Sequence, residues 1–289
     1  MSDLFDPSLP SPDTNYVALR DNERFSQLRA ICEDMWRSFA QYSDPEFPRQ
    51  FATHLHPRFW ELYLGHQLLN LGFKLVPKAS SFGPDFHVLL GDRSVWIEAA
   101  APDEGQGDDA VPALEEHSKF DPIPEDKIIL RFTNAVYKKK QKFEEYVRNG
   151  TVRPEDALVI ALNGRSISML IFDGPLPLVI KSVYPIGGYK VTIDVKTRQV
   201  VQEGYETRFQ IVKHSGAAVG TKAFMDDDFA PISGLLYSHA ALWDMPAGSP
   251  HEFLYIHNST ARNPLEVGWL GVGRDCDRTG DQLLLTASA

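Results

Sequence analysis

Apolar residues recur at helical spacing in three stretches of the chain. Residues 22–41 carry Phe25, Leu28, Ile31, Cys32, Met35 and Trp36 at steps of mostly three and four, which predicts an amphipathic helix. Residues 58–70 carry Phe59, Leu62, Leu64, Leu68 and Leu69 and predict a second helix, opened by Pro57 and ended by Leu71 and Gly72. Residues 126–149 set Ile129, Phe132, Val136, Phe143 and Val147 on one face and predict a third, stopped by Gly150. Between the second and third helices the pattern shortens. Residues 73–77, 85–90 and 94–99 read as strands, the last two joined by Gly91-Asp92-Arg93 into a hairpin. Residues 157–162, Ala-Leu-Val-Ile-Ala-Leu, are continuously apolar, as expected of a fourth strand buried on both faces of the same sheet.

The rest of the chain is less regular. Residues 1–20 read as a loose lead-in and 43–49 as a Pro-containing connection. Residues 102–125 form a long acidic, Gly/Pro-rich loop, expected to be a mobile lid. Beyond residue 166 strand-like runs dominate, at 168–172, 178–183, 190–194, 199–202, 207–212, 232–238 and 252–256. Asp173-Gly174-Pro175, Gly187-Gly188 and Asn263-Pro264 punctuate them. The expected organisation is a lead-in and helix (1–56), an α/β core (57–165) and a β-rich C-terminal extension (166–289). No internal repeat is visible.

Charge narrows the function classes. The net charge of −10 counts against broad, nonspecific nucleic-acid binding, which needs a basic footprint. The charge is uneven: Asp103, Glu104, Asp108, Asp109, Glu115, Glu116, Asp121, Glu125 and Asp126 crowd one segment, whereas residues 131–142 are basic. No run approaches the roughly 18–20 apolar residues of a membrane helix. The first residues lack the basic start and apolar centre of a signal peptide. Cys32 and Cys276 are the two cysteines, far apart in sequence, and read as reduced thiols of a cytoplasmic protein. His54 and His56 lack companions at zinc spacing.

One constellation carries chemistry. Gly83-Pro84-Asp85 is followed by twelve residues and then Glu98. In an antiparallel hairpin the start of one strand lies beside the end of its partner, so the two carboxylates converge. With the backbone carbonyl of Ala99 they offer hard oxygens suited to Mg²⁺ or Mn²⁺, and such an ion activates a bound water. Glu98 sits inside the apolar run Val95-Trp96-Ile97 and Ala99-Ala100-Ala101, so a buried carboxylate there needs a partner. The bland alternative is an Asx turn at Asp85 and a surface glutamate at 98. Glu61, in Trp60-Glu61-Leu62, either reaches the same point or is a solvated helix residue.

Trp60-Glu61-Leu62, Gly83-Pro84-Asp85-Phe86 and Trp96-Ile97-Glu98-Ala99-Ala100, in the order helix, three strands, helix, strand, resemble the PD-(D/E)XK nuclease superfamily over roughly residues 57–165. The resemblance implies a restriction endonuclease-like αβββαβ core. It also implies metal-dependent phosphodiester hydrolysis of nucleic acid, DNA or RNA, with Asp85 and Glu98 as Mg²⁺ or Mn²⁺ ligands and Glu61 as the helix acid. The family lysine lies two residues beyond the glutamate, and this chain has Ala100 there. In this superfamily the lysine can migrate to a neighbouring element. Helical phase singles out Lys140, in the apolar stripe of residues 126–149, ahead of Lys138, Lys139 and Lys142, with Gln141 a second polar candidate. The alternative for Lys140 is snorkelling to water. Arg131, Lys138 and Lys142 are the expected phosphate contacts. The competing reading is a catalytically inactive scaffold whose β-rich half binds a protein partner or a second copy.

Overall fold

The computed structural model describes residues 3–78, 82–114, 122–245 and 253–287. Its centre is a mixed sheet. β1 (Lys74–Val76), β2 (Phe86–Leu90) and β3 (Arg93–Ala100) form an antiparallel meander, and β4 (Ala157–Asn163) joins β3 in parallel, Glu98 lying beside Ile160. The sheet continues through β9 (Gly234–Ser238), β10 (Leu254–His257), β11 (Arg274–Thr279) and β12 (Gln282–Ala287) in the order β1-β2-β3-β4-β9-β10-β11-β12. The protein is thus mixed α/β, and its β-rich half completes the sheet that the first half begins. The expected boundary at 166 does not separate two sheets. All seven residues of β4 are buried, because helices cover both faces.

The two faces have separate cores. On one lie α1 (Thr14–Asp21), α2 (Ser26–Phe39), α3 (Phe47–Thr53) and α4 (Leu55–Asn70), packed on Phe86, Val88, Val95, Ile97, Val159 and Ala161. The other is covered by α5 (Glu125–Arg148) and α6 (Leu178–Lys181), against Leu158, Ile160, Leu162, Leu235 and Tyr237. Strand alternation assigns these sets: odd positions of β3 and β4 face α4 and even positions face α5. Glu98 is even and points to α5.

α4 begins three residues before the expected start. Asp13, the N-cap of α1, also accepts a hydrogen bond from the Leu55 backbone N–H at 2.9 Å, capping a helix 42 positions away. Its approach to α2 is close: a Cβ on Gly65 would lie 2.4 Å from the buried Phe39 ring, so a larger residue there must displace that ring. Trp60 Nε1 donates to the Ala161 carbonyl at 3.2 Å, tying α4 to β4.

Several expectations for the second half change. Residues 168–172 are a short 3-10 segment and 178–183 begin with the single-turn helix α6, its first N–H accepted by Asp173 Oδ1 at 3.0 Å. Short apolar runs do not distinguish strand from buried helix by period. The exposed hairpin β5 (Ile186–Ile193) and β6 (Val200–Thr207) stands outside the main sheet, as does the pair β7 (Gln210–Val212) and β8 (Ala218–Gly220). The lead-in and the connection at 43–49 supply α1 and the start of α3. The segment 102–125 is only partly described, residues 115–121 lying outside the described residues. Its described part is anchored: Val111 is buried, Arg131 holds Asp103, and Ser168 N–H donates to Glu104 Oε1 at 3.2 Å.

Candidate active site

The start of β2 and the end of β3 meet at one end of the sheet, where α4 approaches from one face and α5 from the other. Asp85 sits just before β2, after Gly83, whose φ of +125° demands glycine. Asp85 Oδ2 accepts the Ala99 backbone N–H at 2.7 Å, which fixes this carboxylate across the hairpin, beside the end of β3. The Lys78 ammonium lies 3.8 Å from Asp85 Oδ1.

Glu98 is 1% exposed. Its Oε1 accepts from both Lys139 Nζ at 2.9 Å and Lys142 Nζ at 3.0 Å, whereas its buried Oε2 has no hydrogen-bond partner. Burial, and then the charge of Asp85, push the Glu98 carboxyl above its usual range against the pull of the two lysines. Lys142 loses some hydration, but the charge of Glu98 and its hydrogen bond outweigh this and raise the ammonium pKa. Tyr146, one helical turn beyond, is pushed up to about 12 by burial and by Glu98.

Glu61 is 2% exposed and forms an ion pair with Arg58, one turn earlier on α4. Its Oε1 is buried and has no hydrogen-bond partner. Burial first, and Asp85 second, raise its pKa to about 7 against the attraction of Arg58 and Lys78. Asp85 thus acts electrostatically on both glutamates, one from each helix-covered face. The structure brings Glu61, Asp85 and Glu98 into one charge cluster, interleaved with Arg58, Lys78, Lys139 and Lys142.

Lys140 is elsewhere, a correction to the helical-phase reading. Its Nζ bonds Glu144 at 2.6 Å and lies 5.3 Å from the Phe229 ring centroid. The reason is that α5 has two adjacent rows that are buried except at their lysines. Ile128, Phe132, Ala135, Lys139, Lys142 and Tyr146 follow the three- and four-residue steps that lead over Glu98. Ile129, Thr133, Val136, Lys140 and Phe143 follow the next row. Of the expected phosphate contacts, Arg131 is engaged with Asp103 at 2.7 Å, Lys138 is exposed, and Lys142 lies in the acid cluster itself. Gln141 is exposed. Lys78 and Arg58 were not singled out from sequence. Arg58 had a readable signal, its i,i+3 spacing to Glu61, and Lys78 had none beyond following β1.

No group of three or more His, Cys, Asp or Glu side chains arranged to hold a metal ion occurs among the described residues. A ready-made three-acid cage, as expected, is not what the geometry shows. One oxygen of each acid is engaged, by Arg58, by the Ala99 N–H and by the two lysines respectively. The cysteines are both free and buried. Among the described residues no helix is long and apolar enough to cross a membrane.

Glu61 gives the cluster a pH signature. An acid whose folded pKa is raised holds its proton in the folded state while the unfolded chain has released it. Between about pH 4.5 and about pH 7 the folded state therefore binds more protons, and stability falls as pH rises through that window. Each unit of the gap is worth up to about 1.4 kcal/mol. Glu61→Gln should remove most of this decline. Denaturant titrations of both proteins across the window check it, and parallel curves would show that Glu61 titrates normally.

No protein-family model matches the sequence, no curated protein matches it, and no solved structure matches it.

Proposed function

We propose that the chain is a metal-dependent phosphodiesterase acting on nucleic acid, built on a restriction endonuclease-like core. The observation that carries this reading is the buried pair Glu61 and Glu98, with the partly exposed Asp85 acting on both, at the junction of two strands and two helices. Two of its carboxylate oxygens, Glu61 Oε1 and Glu98 Oε2, have no hydrogen-bond partner. Buried, unpartnered carboxylate oxygens are costly, and burial first, then the charge of Asp85, makes both glutamates reluctant to ionise. A divalent cation relieves both. The order α4, β1, β2, β3, α5, β4 supports the same reading.

The residues fit such an ion. Asp85, Glu98 and the Ala99 carbonyl would hold Mg²⁺ or Mn²⁺, with Glu61 joining through a water. Bound there, the ion supplies an acidified water and charge neutralisation at phosphoryl oxygens. The chain's own groups do the rest. Lys139, its side chain 16% exposed, favours the ionised form of Glu98 against its burial and takes the place of the family lysine in orienting the attacking water. Lys142, 53% exposed on the solvent side, receives the phosphate. Lys78 neutralises Asp85 until substrate arrives. Arg58 holds Glu61 in place.

The rival is a non-catalytic scaffold, and one observation favours it: Lys139 and Lys142 already neutralise Glu98. Its partner, a protein or a second copy, would meet the β5–β6 hairpin, where Tyr189, Val191, Ile193 and Tyr205 are exposed. Incubating the protein with labelled single- and double-stranded DNA and RNA decides between them. Cleavage in Mn²⁺ or Mg²⁺, abolished by chelation, is expected. Lys139→Met should lose about 10²–10⁴ in rate, whereas Lys140→Ala should stay within about twofold of the parent, as a substitution outside the site. Absence of cleavage on every substrate, with both metals, leaves the scaffold reading.

A further inference from the structure

A cavity adjoins Asp85 and Glu98 on the face of the sheet that α5 covers. It has a volume of about 270 Å³ and is bounded by Lys78, Phe82, Gly83, His87, Trp96 and Thr151. His87 and Trp96 are ladder partners on β2 and β3. Their rings stack with centroids 3.8 Å apart and an interplanar angle of 11°. Both are fixed from behind: Trp96 Nε1 donates to Asp156 Oδ2 at 2.8 Å, and His87 Nε2 is 2.9 Å from Ser94 Oγ. Phe82 forms an opposite wall, edge-on to Tyr146 at 5.3 Å and 48% exposed.

His87 lies two residues from Asp85, and Trp96 two residues from Glu98, on the same side of the sheet. At about 3.3 Å per residue, the ring pair is roughly 7 Å along the strands from the acids. The sugar and phosphate of one nucleotide bridge such a span. The cavity falls just below the ~300–1,000 Å³ of pockets that enclose a drug-sized ligand, so it suits one planar ring system. Lys78 stands at its rim, 3.8 Å from Asp85, with its charge between cavity and acids.

We propose that the His87–Trp96 pair is a stacking platform for one unpaired nucleobase of the strand whose phosphodiester lies at Glu61, Asp85 and Glu98. This rests on the phosphodiesterase reading and names its substrate as single-stranded, or locally opened, nucleic acid. A base inside a duplex has both faces covered by its neighbours and cannot reach a platform sunk between a strand pair and a loop. Aromatic faces take any base, so the platform fixes position without reading sequence.

The test uses tryptophan fluorescence of the full chain with chelator present, so that no cleavage intervenes. A short single-stranded oligothymidylate should quench emission saturably. The quench should vanish in Trp96→Phe, which leaves Trp36, Trp60, Trp243 and Trp269 in place. A matched duplex and an abasic strand of equal length should bind more weakly and leave Trp96 unquenched. His87→Ala should weaken oligothymidylate binding by about 5- to 150-fold, the range for loss of one stacked base, and His87→Tyr should restore it. That rescue separates stacking from a structural role, and melting curves report folding of each variant. Equal quenching by the abasic strand, or parental affinity in His87→Ala, overturns the platform. Glu98→Gln keeps the two readings apart, because it should quench normally while losing cleavage. Cleavage without Trp96 quenching removes the platform alone, and quenching without metal-dependent cleavage removes the phosphodiesterase alone.

Discussion

Replacing Lys139 and Lys142 together by methionine should destabilise the metal-free protein by about 3–5 kcal/mol, the cost of leaving a buried charge without its partner. Both ammonium groups converge on Glu98 Oε1, at 2.9 and 3.0 Å, and the other oxygen has no hydrogen-bond partner. Each single replacement should cost much less, since the remaining lysine still reaches the same oxygen. Removing the charge itself should reverse the effect, so Glu98→Gln in the double-methionine background should recover most of the loss. The deficit should also shrink in acid. Glu98 is an acid with a raised folded pKa, so its cost is absent when it is protonated and appears as pH rises. Denaturant unfolding of the parent, the two single, the double and the triple variants, at neutral and acid pH, measures this coupling. No recovery in the triple variant would mean that the lysines act by packing and not by charge.

Catalysis should respond more steeply. Glu98→Gln and Asp85→Asn keep the shape of each side chain and remove its charge. On the proposed reading each holds the metal ion, and neutralising such a ligand loses several kcal/mol of transition-state stabilisation, which at 1.36 kcal/mol per tenfold is about three orders of magnitude in turnover. The same substitutions should stabilise the metal-free fold, because each removes like-charge repulsion among Glu61, Asp85 and Glu98. Faster unfolding together with the activity loss would indicate structural damage instead. Activity and stability moving in opposite directions is the pattern of a functional site.

Much of this arrangement is legible in the residue order. The alternation of β3, with Glu98 among Trp96 and Ala100 on the even face, follows from a period of two. The continuous apolar run of β4 announces its central place. Helix ends and phases are less legible. The start of α4 depends on a cap from Asp13, 42 positions earlier, which no local pattern contains. Lys139 and Lys140 differ by 100° on α5, and both lie among apolar residues. Only the packing of that helix on β4 and on Phe229 decides which lysine meets Glu98. The joining of β9–β12 to the first sheet is a long-range pairing, and short runs such as 178–183 lack the length to declare helix or strand.

The proposed activity requires Asp85 and Glu98 to form a divalent-cation site with Glu61 behind them. Calorimetric titration with Mn²⁺ near pH 8, where Glu61 is mostly ionised, tests it most directly. Saturable binding is expected, weakening as pH falls through about 7, because a protonated Glu61 must shed its proton to join the ion. Binding should be lost in Asp85→Asn and Glu98→Gln and kept in Lys140→Ala. Absence of binding in the parent protein, or equal binding in the Glu98→Gln and parent proteins, would contradict the proposed site.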